Sequence, residues 1–237
     1  MTGPVSYDLA GGIATITIDD GKVNVITIPL LADLRAALDQ AETDGAVVIL
    51  TGREGRFSAG FDLAVLLSST TDSIDLLIGG FELSERLLSF PFPVVVACTG
   101  HAIAMGLFLV LSGDVRIGAE GAFKLVANEV AKGLPLPRGA TEICRQRLTP
   151  AGFDRVTILS EEFAPGPEAI QVGILDRVVP ATELAAAARA EAERLVTLNM
   201  PAHGATKLRA RAASLAAIRS ATEADEAELR PFVTPSS

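Results

Sequence analysis

An α/β fold is the class this sequence predicts, and three observations predict it. Runs rich in β-branched residues alternate with stretches whose apolar positions fall on one helical face, the order expected of a sheet covered by helices. A strand followed by a glycine turn and a helix occurs twice, at 46–67 and at 94–111. Hydrophobic residues make up 49% of the 237 and charged residues 21%, which supplies a large core and argues against disorder.

The elements follow from the pattern. Val5 to Leu9 and Ile13 to Ile18 form a hairpin around Gly11-Gly12, with Ile16 and Ile18 alternating with Thr15 and Thr17. Asp19-Asp20-Gly21 is a turn, and Pro29 opens a helix at its favoured first position. Leu30, Leu31, Leu34, Ala37, Leu38 and Ala41 share one face of that helix, which Asp44-Gly45 stops. Ala46 to Thr51 is a buried strand, and a short helix from Leu63 to Leu67 begins after Asp62, a residue suited to cap it. Ile74 to Ser89 is an amphipathic helix ended by Pro91 and Pro93. Val94 to Cys98 is a second buried strand, a helical apolar segment runs from about Met105 to Leu111, and Val115 to Ala119 returns to strand. Phe123 to Val126 is a further strand candidate. From Thr149-Pro150 the chain turns mainly helical, with Leu175 to Val179 the one later strand, a helix over 183–198, and another from Pro201, with a break, towards Leu229. The division expected is a core over 1–180 and a helical region over 181–237.

Composition narrows the function. Twenty Lys and Arg against 29 Asp and Glu leave a formal charge of −9, which argues against a general nucleic-acid binder but allows an anionic ligand in a local basic pocket. Cys98 and Cys144 are far apart in apolar or helical contexts and read as buried free thiols of a reducing compartment. No basic stretch followed by an apolar run opens the sequence, and the longest apolar run, Ala102 to Leu111, is too short to span a bilayer. A soluble cytoplasmic protein is expected. Gly-x-Gly fingerprints, a phosphate loop, a Gly-x-Ser-x-Gly elbow and clustered metal ligands are all absent from the sequence.

Two glycine turns and one acid remain. In Phe57-Ser58-Ala59-Gly60-Phe61-Asp62-Leu63 small residues let another molecule approach the main chain, and a strand–loop–helix turn leaves amides able to hold an oxygen that gains charge. The plain alternative is a tight turn with a capping aspartate. Glu129 stands in a mostly apolar, Gly/Pro-ended segment. Either burial raises its pKa and fits it to move a proton, or it is a surface glutamate on a short helical turn.

With these motifs in order, the chain resembles the crotonase (enoyl-CoA hydratase/isomerase) family. Residues 57–63 look like its small-Ala-Gly-x-Asp-Leu signature, and Gly100-His101-Ala102-Ile103-Ala104-Met105-Gly106 is similar to its second glycine-rich turn. Asp114-Val115-Arg116 matches the Asp-x-Arg after that helix, Glu129 falls where the family keeps a glutamate, and Leu175 to Val179 resembles a later strand motif. The resemblance runs from about Val5 to Leu198. It implies a spiral of ββα turns with a helical C-terminal part that builds homotrimers, often stacked in pairs as hexamers. It also implies an acyl-CoA thioester as ligand, with CoA part of the substrate and no separate cofactor or metal.

Carried over by position, the amides of Ala59 and Met105 would grip the thioester oxygen and Glu129 would move the proton. Lys22, Asn24, Gly60, Phe61, Asp62 and Phe108 would join them around the substrate; Lys22 either meets a CoA phosphate or is a solvated turn lysine. Hydratases of the family keep a second glutamate three residues past the second amide. Here that position is Phe108. A lone acid favours a Δ3,Δ2-enoyl-CoA isomerase, because moving a double bond needs one base that takes a proton from C2 and returns it at C4. The alternatives are a hydratase, with Glu82 or Glu85 replacing the missing acid, and an acyl-CoA binder without turnover.

Overall fold

The computed structural model describes residues 3–235. A hairpin of β1 (Val5–Ala10) and β2 (Ile13–Ile18) opens the fold, followed by β3 (Val25–Ile26) and α1 (Ile28–Thr43). Next come β4 (Val47–Gly52), β5 (Gly55–Ser58), β6 (Gly60–Phe61), the one-turn α2 (Leu63–Leu66) and α3 (Thr71–Ser89). The order strand–strand–helix then returns in β7 (Val94–Cys98), β8 (Gly100–Ile103) and α4 (Met105–Leu111), and again in β9 (Val115–Ala119), β10 (Leu125–Val126) and α5 (Arg138–Arg145). The chain finishes through α6 (Pro150–Thr157), α7 (Pro167–Gln171), β11 (Arg177–Val179), α8 (Leu184–Val196) and α9 (Met200–Leu229).

The repeats explain the sheets. A six-stranded sheet has the order β1-β2-β4-β7-β9-β11, antiparallel only at its first pair, and a parallel three-stranded sheet has the order β10-β8-β5. Each repeat gives its first strand to the large sheet and its second to a small one. Val94 to Cys98 is buried throughout, as a parallel strand covered on both faces must be. The main core lies between the sheets and α1, α3, α4 and α5. A second core forms on the outer face of the large sheet, where Leu184, Ala188, Ala192 and Leu195 of α8 cover Ile13, Val47, Ile49, Val95 and Ile117. Their spacing puts those four residues along one side of the helix.

Two motifs of the sequence meet here as fasteners. Arg116, almost fully buried, donates from its backbone N–H and its guanidinium to Asp176. Asp114 accepts from Val94 N–H (2.8 Å), Lys207 Nζ (2.7 Å) and Arg211 (2.9 Å), tying α9 to the sheet.

The structure departs from expectation in five places. Strands β3, β5, β6 and β8 have two to four residues, too few for a periodic pattern, and read as turns. Helix α5 begins at Arg138 and shows only Ala140, Ile143 and Cys144 as buried apolar positions. The strand expected over 175–179 is reduced to 177–179, because the Leu175 amide turns back to the Ala169 carbonyl of α7 and only Arg177 to Val179 pair with β9. The break expected in the last helix is absent; α9 runs unbroken for 30 residues, across α3 and α5. The strand expected over 123–126 keeps only Leu125 and Val126. Among the described residues no helix is long and apolar enough to cross a membrane.

Candidate active site

Three loops leave the carboxyl ends of three neighbouring strands. Ser58 of β5 and Leu125 of β10 both sit level with Ala102 of the central strand β8. Three residues onward, the chain has reached Phe61 on one side, Met105 in the middle and Asn128-Glu129 on the other. Strands lie about 4.8 Å apart, so residues far apart in the sequence converge because each follows the same strand of its own repeat.

The first turn is held from within. Ser58 Oγ donates to the Asn24 carbonyl (2.8 Å) and accepts from the Gly60 amide (3.1 Å). Gly60 takes φ +86°, and a Cβ there would stand 2.8 Å from the Ile103 oxygen and 3.4 Å from the Met105 nitrogen. Glycine is thus required twice over, by dihedral and by the approach of the second turn. Asp62 caps α2, its Oδ1 accepting from Ala64 and Val65, as the sequence predicts.

One expected donor has to be moved. The Ala59 amide already donates to the Val23 carbonyl at 3.0 Å, so it is not available to a ligand. The Asp62 amide donates to Ile26 of β3 at 3.0 Å. Successive amides of an extended segment point opposite ways, which turns the Phe61 amide away from the side on which Asp62 meets β3. That leaves Phe61, between two occupied amides, as the candidate donor of this turn. The signal was present in the sequence: the residue just before a helix cap is where the chain leaves its strand.

The second turn supplies its amide by strain and by helix geometry. Ala104 has φ +49° and ψ −119°, a conformation costly for a residue with a Cβ. Its own amide is anchored on the Val126 carbonyl (2.8 Å), and its carbonyl receives Leu107 and Phe108. Met105 opens α4, so its N–H belongs to the first turn, which has no carbonyl of its own helix to meet. A Cβ at Gly106 would stand 2.6 Å from the Ser58 oxygen, and the two turns therefore clasp each other.

Glu129 lies just before a 3₁₀ turn at Val130–Lys132. Its Oε2 is buried and has no hydrogen-bond partner. Burial lifts its pKa from 4.5 to about 7, against a smaller opposite effect of its own backbone N–H. Burial first, and the Glu129 charge second, push the buried Cys144 thiol up, which puts α5 behind the carboxyl. The reading of Glu129 as a solvated surface residue does not fit this environment.

Lys22, Ala59, Phe61 and Asp62 line one cavity of about 520 Å³, with Val25, Thr27 and Leu30 among its walls. Asn24 does not join them and is a structural residue. It is fully buried at φ +57°, its Nδ2 donates to Ile18, Arg56 and Phe57 carbonyls, and its Oδ1 accepts from Asp20. No polar atom of that amide is left for a ligand. Phe108 is buried in the main core. Neither it nor Glu129 lines the cavity beside the first turn. Glu82 and Glu85, the alternative acids, are paired with Arg35 (2.7 Å) and Arg219. His101 accepts the Lys124 amide through Nδ1 at 3.0 Å.

Comparison with known proteins bears on the whole chain. A family model described as enoyl-CoA hydratase/isomerase matches residues 8–234. A crystal structure of an enoyl-CoA hydratase from Mycobacterium marinum is 45% identical, with a TM-score of 0.91 over 96% of this chain and 100% of that one. The apo structure of an enoyl-CoA isomerase from Mycobacterium tuberculosis is 44% identical, with a TM-score of 0.92 over 96% of this chain and 100% of that one. A probable enoyl-CoA hydratase of Bacillus subtilis is 34% identical over 168 residues, 69% of this chain and 64% of that protein. The match thus spans less than two thirds of the length of that curated relative.

Proposed function

The chain belongs to the enoyl-CoA hydratase/isomerase family, and within it we propose that the protein moves the double bond of a 3-enoyl-CoA to position 2. The observation that carries this reading is the single acid: Glu129 has a buried, unpartnered oxygen and a pKa near 7, while Phe108 stands where a second carboxyl would serve a hydration. The amides of Phe61 and Met105 hold the thioester oxygen. Glu129, as carboxylate, takes a proton from C2, and the charge spreads over the dienolate onto that oxygen, where two fixed donors stabilise it. The protonated Glu129 then returns the proton at C4, and the enzyme is unchanged. A pKa near the working pH suits a group that must both accept and release a proton.

Lys22 and the cavity below the first turn receive the CoA part, which belongs to the substrate; no other cofactor enters the scheme. The same reading carries a homotrimer, alone or stacked as a dimer of trimers, in the cytoplasm.

The test is proton exchange at C2 of an enoyl-CoA in heavy water, together with conversion of a 3-enoyl to a 2-enoyl thioester. Glu129→Gln should lower both by at least a hundredfold and leave the affinity for CoA within a factor of about three. Retained turnover in that variant would remove the role of Glu129. The likeness to the M. marinum hydratase favours a second reading, hydration. That reading predicts 3-hydroxyacyl-CoA from a 2-enoyl substrate. Tight binding with no exchange at all would instead mark a binder without turnover.

A further inference from the structure

The two amides sit on separate repeats, yet their side chains meet at one point. Phe61 and Met105 both point to α3, and both reach Gly80. A Cβ on Gly80 would stand 2.4 and 2.6 Å from the Cζ and Cε1 of the Phe61 ring and 3.0 Å from the Met105 Sδ. Met105 is fully buried and Phe61 nearly so, with Phe61 also packed edge-on against Phe81 at 6.5 Å. The ring has Phe81 on one side and the cavity of the first turn on the other, so a methyl on Gly80 would displace it, and with it the turn that carries it, towards the cavity.

The geometry points to Gly80 as the positioning residue for both amides: the hydrogen it carries in place of a side chain lets the ring of one donor residue and the thioether of the other rest on the same spot of α3. The inference rests on the reading that these two amides hold the thioester oxygen. The neighbouring glycine provides the control. A Cβ on Gly79 would meet Leu31 Cδ1 at 3.1 Å and Arg35 at 3.5 Å, both ends of flexible side chains on α1 and away from either turn. Glycine to alanine inside a helix favours the helix at both positions, so loss of the fold is not the expected effect of either change.

Gly80→Ala should therefore lower kcat for C2 exchange at least tenfold, with the affinity for CoA lacking an acyl group unchanged. Gly79→Ala should keep kcat within twofold. Adding Phe61→Leu to Gly80→Ala, which removes the rigid ring but keeps the amide, should recover part of the loss. The amide ¹⁵N–¹H signals of both Phe61 and Met105 should shift in Gly80→Ala and stay in place in Gly79→Ala. Equal kcat in the two single variants, equal loss in both, or unmoved amide signals in Gly80→Ala would each overturn the inference. If the wild-type protein exchanges no C2 proton, the function proposed above fails, and the amide signals still decide whether Gly80 sets the two turns.

Discussion

A carboxyl group is useful for moving protons when its surroundings make its two charge states nearly equal in free energy. Glu129 reaches that balance by burial, with no cation beside it among the causes of its shift. The sign of the effect on stability follows. Native Glu129 holds its proton more tightly than the unfolded chain does, so the folded state loses stability as pH rises from about 4.5 to about 7 and is level above. Glu129→Gln lacks that penalty. It should be more stable than the wild type at pH 8, by up to about 3 kcal/mol, and the gap should close towards pH 4; urea unfolding at the two pH values measures it. With the carboxylate as the proposed base, the wild-type exchange rate should rise with pH to a plateau with a midpoint near 7.

At the scale of the element, the second turn is the strained one. Ala104 holds a positive φ that glycine adopts freely, so Ala104→Gly should raise stability by about 1 kcal/mol, with exchange activity kept; thermal unfolding and the C2 assay check the two parts. Element length also decided what could be read in advance. Val94 to Cys98, a continuous apolar run, and the helix over 28–43, whose apolar residues share one face, are long enough to be read from the sequence. The two-residue β6 is set by the Gly60 turn and by pairing with β3, a partner about 35 positions back along the chain. Distance along the chain also decides Asn24 and Ala59. Their resemblance to binding positions was visible, but whether an amide is already spoken for depends on carbonyls brought in by folding, such as those of Phe57 for Asn24 and Val23 for Ala59. The burial of Glu129 is legible as one of two readings, because an acid among apolar residues stands out without knowledge of its partners.

At the scale of the whole molecule, the last helix acts on the site from behind. Asp225, near the end of α9 and 5% exposed, accepts from the Arg138 and Gly139 amides at 3.1 and 2.8 Å, and so caps α5, the helix that carries Cys144 behind Glu129. Asp225→Ala removes both the cap and the interaction of its charge with the helix end. It should cost about 2 kcal/mol in unfolding experiments and speed hydrogen exchange of the 138–145 amides more than those of β7. The order β10-β8-β5 has a consequence of another kind. Phe61, Met105 and Glu129, to which the proposed function gives the carbonyl grip and the hydrogen, are encoded on separate stretches, each just past the tip of its own strand. On that proposal, a transplant of the loop between β10 and α5 from a relative should change the acid and leave the other two stretches in place, one cassette exchanged without the rest.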